Sequence, residues 1–417
     1  MKEAKIKNDW KRLFFPFWIG QIISILGSSL VQFTLVWWLT RETESATVLA
    51  TASMFALIPE IIVQPFAGVI VDRLNRKQII IIADSVIALA TLVLSMLFML
   101  DIVQIWFIYA IMLIRAIGGA FHYPAEQASV ALMVPEEHLA RIAGLNQASR
   151  GIINIIAAPL GALVLELLGV EGSLMIDVVT AAIAVSIVAF TIIPQQKMLK
   201  NEGNGGLGTM LSDMRDGFRY LTSWKGLMVL TGMALVFKLA LSPAFSLIPL
   251  LVYSHLNGTA AQYSLLEVFG GGGIILGGVV LGVWGGFKRQ VYTMLLGGTA
   301  VGLGIFLMGF LPAGAFYWSL PLLFLVGLAI PIVDGPISAI LQAKIDNEYQ
   351  GRVMTLFGSV INLSGPIGLA AAGPVSDAWG IQIWFITAGA LIFGCMIFGM
   401  LNKDLMQIDL GPEAKSG

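Results

Sequence analysis

The chain of 417 residues is 57% hydrophobic and 12% charged, with a mean hydropathy of +0.87 and a formal net charge of −1. This composition is too apolar for a soluble globular protein of this length, and the near-neutral charge does not indicate a nucleic-acid partner. The single cysteine, Cys395, excludes a disulfide or a cysteine-based metal site within one chain. Composition therefore predicts an integral membrane protein.

Hydrophobic runs long enough to cross a bilayer as helices, about 20 residues each, divide the chain into twelve predicted spans. The first six lie near 14–39, 46–71, 78–100, 104–129, 144–168 and 171–193. The other six lie near 226–253, 262–285, 290–311, 315–343, 352–378 and 381–401. The first run is too long for a signal peptide and lacks a small-residue cleavage site, so we expect residues 1–12 to be a retained flank.

The segment 68–77, between spans two and three, packs four charges into a short gap. It contains Gly68, Asp72, Arg73, Arg76 and Lys77. Basic residues collect on the cytoplasmic side of membranes, and a glycine lets helix backbones approach closely. We therefore predict a tight cytoplasmic turn. A generic basic loop would account for the three basic residues but not for the glycine and the aspartate.

Lysine and arginine are distributed asymmetrically across this span map. If both termini are cytoplasmic, 20 of the 24 Lys and Arg residues fall in inner segments. Only Arg41 falls in an outer loop, and three lie inside spans. A missing or extra span would invert this distribution from that point onward, so the bias supports twelve spans with cytoplasmic termini.

Three charges lie near the predicted midplane. At 1.5 Å per residue, Glu60 is about 21 Å from the outer end of span two and Arg115 about 16 Å from the outer end of span four. Lys238 is about 18 Å from the inner end of span seven. A charge there costs a few kcal/mol unless it is paired or hydrated, so each should face a cavity or a partner. A structural alternative stays open for each of these charges. Glu60 and Arg115 could simply neutralise each other, and Lys238 could pack beside a carbonyl group or extend its ammonium group toward the membrane surface.

Other ionisable residues in the spans are shallower. Those near the inner side are the secondary site candidates Asp84, Glu126, Arg150 and Asp334. Asp177 and Glu267 lie near the outer side. We favour a gate or packing role over substrate binding for each of these residues. His122 is a possible titrating group, although a satisfied core or rim histidine is the favoured interpretation.

The second half repeats features of the first at offsets that drift from 212 to 207. The matched pairs are Pro124 and Pro336, Arg141 and Arg352, Asn154 and Asn362, Pro159 and Pro366, and Gly161 and Gly368. We therefore predict two pseudo-symmetric six-helix halves, 1–193 and 225–401. They would be joined by a cytoplasmic linker, 194–224, and followed by a cytoplasmic tail, 402–417.

Two segments of lower complexity complete the map. The linker combines a Gly/Asn-rich stretch, 201–208, with an apolar helical stripe of Met210, Leu211, Met214, Phe218 and Leu221, which predicts a helix on the membrane surface. The glycines of 270–273, with Gly277, Gly278 and Gly282, are not followed by Gly-Lys-Ser/Thr. They therefore predict close helix packing rather than a phosphate loop.

The segment 68–77 resembles the signature loop between the second and third helices of major facilitator superfamily transporters. Residues 115–120, Arg-Ala-Ile-Gly-Gly-Ala, are similar to that family's intramembrane arginine motif, which is associated with proton transfer in its proton-coupled exporters. The chain departs from the family pattern in two places. Residues 158–162 keep only one proline and one glycine of the antiporter motif, and Gly286 stands where the repeat would place Asp72.

The whole chain is similar to the macrolide-efflux branch of that superfamily, with a siderophore exporter as a more distant relative. The residues that carry this likeness are 8–12, 20–21, 121–125, 134–137, Phe287 and 351–353. Their shared order along the chain favours drug-type export, but substrate identity does not follow from a shared scaffold.

The resemblance implies an all-α membrane protein with twelve transmembrane helices in two six-helix halves. It would be a secondary active exporter of amphipathic, macrolide-type compounds, exchanging them for protons by alternating access. We expect a small-molecule substrate, protons and the lipid bilayer as partners, no cofactor or metal, and a monomer in a bacterial plasma membrane. The sequence has no metal cluster, nucleophile triad or cofactor loop, so an enzyme is not expected.

Two alternatives of other kinds are a siderophore or other metabolite carrier of the same fold, and a non-transporting membrane sensor. For the exporter, we expect Glu60, Arg115 and Lys238 to serve transport and coupling. We expect the cytoplasmic gate to comprise Gly68, Asp72, Arg73, Arg76, Lys77 and Arg352. Asp72 would face the inner end of span eleven, near Gly351 and Arg352, where a helix N-terminus attracts a carboxylate.

Overall fold

The computed structural model describes residues 2–194 and 207–410, with side chains over 10–194 and 215–409. Its regular structure is helical throughout the described residues. The helices are α1 Lys2–Thr43, α2 Ala46–Arg73, α3 Arg76–Met99, α4 Ile105–Met133, α5 Glu136–Phe190, α6 Leu207–Ser223, α7 Lys225–Leu250, α8 Ala260–Trp284, α9 Gln290–Gly309, α10 Phe316–Lys344, α11 Asn347–Trp379, α12 Ile381–Leu401 and α13 Lys403–Met406. A π-helical turn, Leu251–His255, extends α7, and a 3-10 turn, Ile408–Leu410, follows α13. The linker residues 195–206 and the tail residues 411–417 lie outside the description.

Eleven described helices are long and apolar enough to cross a membrane. The difference from twelve predicted spans arises in α5, which contains 55 residues and includes predicted spans five and six. A straight helix of that length would measure more than twice the bilayer core. The helix instead kinks at Gly169, where φ is +70° and ψ is −172°. Glycine adopts a positive φ without the steric cost of a Cβ atom, so this residue joins arms 136–168 and 170–190.

The described helices form two compact units. Unit 1 contains residues 2–43 and 51–194, and unit 2 contains residues 44–50 and 207–410. The division of the chain between them falls in the predicted linker, and the first turn of α2 belongs with unit 2. The separate linker, 194–224, and tail, 402–417, stay predictions.

In unit 2, glycines allow α8 to pack closely along α10. A Cβ atom on Gly273 would lie 2.3 Å from the Phe324 carbonyl oxygen, and one on Gly277 would lie 2.1 Å from the Leu328 carbonyl oxygen. Both separations are too short for any other side chain. The packing role expected for these two glycines is therefore confirmed.

The related helix of unit 1, α2, packs differently. Phe55 stacks on Tyr109 of α4 with ring centroids 5.2 Å apart. Among the described residues, however, α2 has no packing with α4 comparable to that of α8 with α10. Apolar side chains farther along α2, including Ile62, Phe66 and Val69, are more than half exposed. Helix α2 contributes Ala56 and Glu60 to the lining of a cavity in unit 1.

Helix α6 forms where the linker sequence predicts a helix, and it packs against the start of α11. Asp216 Oδ2 lies 3.7 Å from Arg352 Nη1, and Tyr220 stacks on Tyr349 with centroids 4.9 Å apart. The Tyr220 hydroxyl also donates to Asp346 Oδ2 at 3.2 Å, and burial raises the pKa of this tyrosine. Of the predicted stripe, Leu221 is buried and Phe218 is exposed.

Candidate functional site

Unit 1 encloses a cavity of about 560 Å³ lined by α1 to α5. Its ionisable lining side chains, apart from Tyr123, are Glu60, Asp84, Arg115, His122, Glu126 and Arg150. One polar face of α1 completes the wall with Gln21, Ser24, Ser28, Ser29 and Gln32. Four of the residues predicted from sequence as secondary or coupling candidates thus meet Glu60 in one cavity, together with His122.

Arg115 is held by Asp177, in the second arm of α5. Arg115 Nη1 lies 2.6 Å from Asp177 Oδ2, and the aspartate is fully buried. Thr91 donates to the same carboxylate at 3.1 Å and Ser28 at 3.0 Å, while Arg115 also donates to the Thr91 hydroxyl. This network argues against the alternative, left open by the sequence, that Glu60 and Arg115 neutralise each other. The sequence placed Glu60 and Arg115 at similar depths in the membrane, but depth does not show which helices are neighbours. In the described part of the structure α3 packs against both α4 and α5, and neither α3 nor α4 packs extensively against α2.

Glu60 makes no hydrogen bond or ion pair within the described part of the chain. It is exposed and lines the cavity of unit 1 from α2. The Glu60 carboxylate is therefore unpaired among the described residues and open to the cavity of unit 1.

Asp84 and His122 form a second pair in the same wall. His122 Nε2 lies 3.2 Å from Asp84 Oδ1, and the two side chains are 13% and 6% exposed, respectively. The other carboxylate oxygen, Asp84 Oδ2, is buried without a hydrogen-bond partner in the described residues. Asp84 and His122 are therefore enclosed side chains in close contact, and both Asp84 Oδ2 and His122 Nε2 lack a hydrogen-bond partner among the described residues.

Glu126 and Arg150 form a third, looser pair. Arg150 Nη2 lies 3.4 Å from Glu126 Oε2, and the guanidinium carbon lies 5.1 Å from the centre of the Tyr123 ring. Arg150 is 37% exposed and Glu126 is 10% exposed. The pair therefore lies at the border between the cavity and solvent.

Unit 2 has its own cavity of about 360 Å³, lined by α7, α9, α10, α11 and α12. Its wall is mostly apolar, with the methionines Met233, Met294, Met354 and Met396 and the aromatics Phe237 and Phe357. Lys238 and Asp334 are its charged lining residues, and they interact electrostatically. Flexible, polarisable methionines suit a surface that must fit ligands of several shapes.

The predicted gate residues of unit 1 make contacts within that unit. Lys77 Nζ donates to the carbonyl oxygens of Ala189 at 2.6 Å and Thr191 at 3.0 Å, at the end of α5. Buried Arg76 donates to the Ala128 carbonyl at 3.0 Å and lies 3.4 Å from Asp72. These contacts anchor the 68–77 segment to α4 and α5.

Two other gate residues, Asp72 and Arg73, are exposed, the Asp72 side chain at 73%. A Cβ atom on Gly68 would meet no described atom within 4 Å, so the close backbone approach expected at this glycine is absent here. In unit 2, Arg352 pairs with Asp216.

Sequence reasoning did not identify two well-connected side chains. The roles of Asp177 as the partner of Arg115 and of Asp377 as a helix cap depend on distant contacts. Asp377, near the end of α11, accepts from the backbone N–H groups of Ala46 at 2.6 Å and Thr47 at 3.0 Å, and from the Ser45 hydroxyl at 2.8 Å. Sequence can indicate a helix cap only when the capping residue lies next to the helix in the chain. Asp377 caps α2 from more than 300 residues away.

Within the described residues, no three His, Cys, Asp or Glu side chains come together as metal ligands. The side chains that line the two cavities can offer a ligand hydrogen bonds, ion pairs and apolar contacts.

Comparison with known proteins agrees with this architecture. Macrolide efflux protein A of Streptococcus pyogenes is 32% identical over 403 residues, which cover 97% of this chain and 99% of that protein. Multidrug efflux pump Tap of Mycolicibacterium fortuitum is 26% identical over 409 residues, covering 93% and 94%.

Solved structures support the fold. The nucleoside transporter NupG superposes with a TM-score of 0.68 at 14% identity, covering 93% of this chain and 98% of that one. A bacterial homologue of the human lysosomal transporter Spinster superposes with a TM-score of 0.66 at 12% identity, covering 96% and 97%. The family model described as Major Facilitator Superfamily matches residues 17–369. The chain is thus a multi-pass membrane protein that belongs to the Major Facilitator Superfamily, and within it resembles the macrolide-efflux transporters.

Proposed function

We propose that this protein exports amphipathic, macrolide-type compounds from a bacterial cell in exchange for protons, acting as a monomer by alternating access. The observation that carries the proposal is that the polar cavity of unit 1 and the apolar cavity of unit 2 differ in the chemistry of their walls. A methionine-rich wall suits the apolar part of a drug-like compound, and a wall with unpaired Glu60 suits proton exchange. The names of the two efflux relatives support the same substrate class.

We assign the coupling role to Glu60, with Arg115 and Lys238 as the charges that set the electrostatics of the two walls. Arg115 is already neutralised by Asp177, so it does not tie Glu60 into an ion pair. Lys238 faces Asp334 across a mostly apolar wall, where a charge interacts strongly with any ionised ligand group. Glu60 is then the group whose proton is exchanged during the cycle.

Transport in proteoliposomes with an imposed pH gradient tests this assignment. We expect Glu60→Gln to abolish uphill accumulation of a radiolabelled macrolide while sparing its downhill exchange. Glu166→Gln, an exposed carboxylate outside the cavity, is the matched control. Uphill accumulation by Glu60→Gln would remove Glu60 from the coupling role. Gradient-independent transport by the unmodified protein would favour a facilitated metabolite carrier, and absence of any transport would favour a sensor.

The cytoplasmic gate stays a separate proposal. We infer that segment 68–77 and Arg352 control access from the cytoplasm, with Asp72 as the group whose contact must break on opening. The Asp72 side chain is 73% exposed, and its contact with Arg76 is long, at 3.4 Å. Asp72→Asn should lower transport at normal membrane insertion, as measured by the same flux assay with a quantitative membrane blot. Unchanged flux would exclude the gate role of Asp72.

A further inference from the structure

The Asp84–His122 pair has features that packing alone does not explain. Both side chains are nearly enclosed, yet Asp84 presents one oxygen to His122 and leaves Oδ2 without a donor among the described residues. A buried carboxylate oxygen without a donor is unfavourable when the group is ionised, because the oxygen has lost its hydration without gaining a hydrogen bond. Stability alone would favour a neutral pair of side chains at this position.

The other charged groups around the pair are those of the same cavity. Glu126 and Arg150 interact electrostatically with His122, and they largely offset each other because they form their own pair. Glu60 and Arg115 line the cavity from α2 and α4, together with the Tyr123 hydroxyl, and Arg115 is neutralised by Asp177. The immediate counter-charge of Asp84 is therefore the imidazole of His122.

We propose that Asp84 and His122 together bind one exchangeable proton and pass it between Glu60 and the predicted cytoplasmic side of unit 1. This inference rests on the proposed proton exchange and extends it from one carboxylate to a second station. Imidazole is the side chain whose ordinary titration lies nearest neutral pH, and it shares this wall with Glu60.

The proton balance is simple. With the proton bound, the pair is an imidazolium and a carboxylate, and its net charge is zero. Release of the proton from His122 to cavity water leaves a neutral imidazole beside the carboxylate, with a net charge of −1. The reverse step takes one proton from water or from protonated Glu60, and no other group is oxidised, reduced or modified.

The chain contains its own control for this pair. His138 and Glu137 form the same kind of contact, with His138 Nε2 3.5 Å from Glu137 Oε1, but these side chains are 38% and 78% exposed. The protein has three histidines in all, so each imidazole can be followed separately.

Nitrogen-15 NMR of histidine-labelled full-length protein in lipid bilayers, between pH 5 and 9, measures the proton directly. The signal lost in His122→Gln identifies His122. We expect His122 to change charge state within this range, and Asp84→Asn to displace its midpoint by about half a pH unit or more, since that variant removes the paired charge. Glu137→Gln should leave the His122 midpoint unchanged. A His122 that keeps one charge state throughout, or titrates identically in Asp84→Asn, would overturn the inference.

Transport supplies the second readout. Asp84→Asn and His122→Gln should flatten the pH dependence of macrolide export in proteoliposomes, while His138→Gln keeps the unmodified profile. Wild-type pH profiles in both cavity variants would exclude a place for the pair on the proton route. Failure of the unmodified protein to export any compound would instead refute the proposed function, and the NMR titration would still decide whether the pair binds the proton.

Discussion

Six charged or histidine side chains line the cavity of unit 1, whereas two charged residues and four methionines line the cavity of unit 2. The repeat nevertheless places related positions in both walls. His122 and Asp334 each precede a matched proline, Pro124 and Pro336, by two residues, and each lines its own cavity. Duplication thus kept the helix geometry while the side chains that face each cavity diverged.

This difference separates two tasks that a proton-coupled exporter must combine. Charges that gain and lose protons need hydrated, polar surroundings, and apolar ligands need walls from which water is easily displaced. In the exporter that we propose, ionisable groups concentrated in unit 1 would leave unit 2 to fit ligands of different shape. The Lys238–Asp334 pair would then orient the ligand rather than exchange protons.

The largest expected effect concerns the Arg115–Asp177 ion pair of unit 1, in which the aspartate is fully buried. Asp177→Asn should destabilise the protein by about 3–5 kcal/mol, because it leaves the Arg115 charge uncompensated beside a buried site. Asp334→Asn should cost much less, since Asp334 is exposed to its cavity. Thermal unfolding in lipid nanodiscs measures both.

A double variant separates loss of charge balance from loss of packing. Arg115→Leu combined with Asp177→Leu should recover most of the stability lost in Asp177→Asn, because it removes both charges together. If the double variant is as unstable as the single one, the network stabilises unit 1 by its hydrogen bonds to Thr91 and Ser28 rather than by charge compensation.

The two units also show which features of the fold and of the cavities can be predicted from the sequence. Hydropathy placed the spans closely, because length and apolarity are local properties, and the α8 glycines could be assigned to packing from their spacing. The pairing of Arg115 with Asp177 could not be predicted, since depth in a helix does not specify which helices are lateral neighbours. The Asp84–His122 contact escaped prediction for the same reason, although both residues were recognised singly.

Filling each cavity tests the proposed division of tasks. Gly119 lines the cavity of unit 1 and Gly358 that of unit 2, and a Cβ atom on either would meet no described atom within 4 Å. Gly358→Leu should weaken binding of a macrolide about 10-fold or more. The added leucine side chain would occupy the space of an apolar ligand group of similar size, and burial of such a group contributes about 1.5–3 kcal/mol to binding. Gly119→Leu should mainly alter the pH dependence of transport. Ligand binding by isothermal calorimetry and flux at several pH values distinguish these outcomes.

Gly394→Leu is the matched control, since its Cβ position is open but it is exposed and lines neither cavity. Replacing a helical glycine removes a cost of about 1 kcal/mol, so none of the three variants should lose stability. Equal effects of Gly119→Leu and Gly358→Leu on binding and on pH dependence would contradict the division of tasks between the cavities.

The smallest expected effect compares the starts of α2 and α8. Helix α8 begins with its own capping box, Thr259 with Gln262, whereas α2 combines its Ser45 cap with the carboxylate of Asp377 from α11. Asp377→Ala should cost about 1 kcal/mol, within the range for a lost N-cap, because two backbone N–H groups then depend on water. Hydrogen exchange should accelerate over residues 45–50 in this variant and at the start of α8 in Thr259→Ala, with no crossover between the two helices. Unchanged exchange at 45–50 would mean that Ser45 alone stabilises the first turn of α2, and that this turn does not depend on the Asp377 carboxylate.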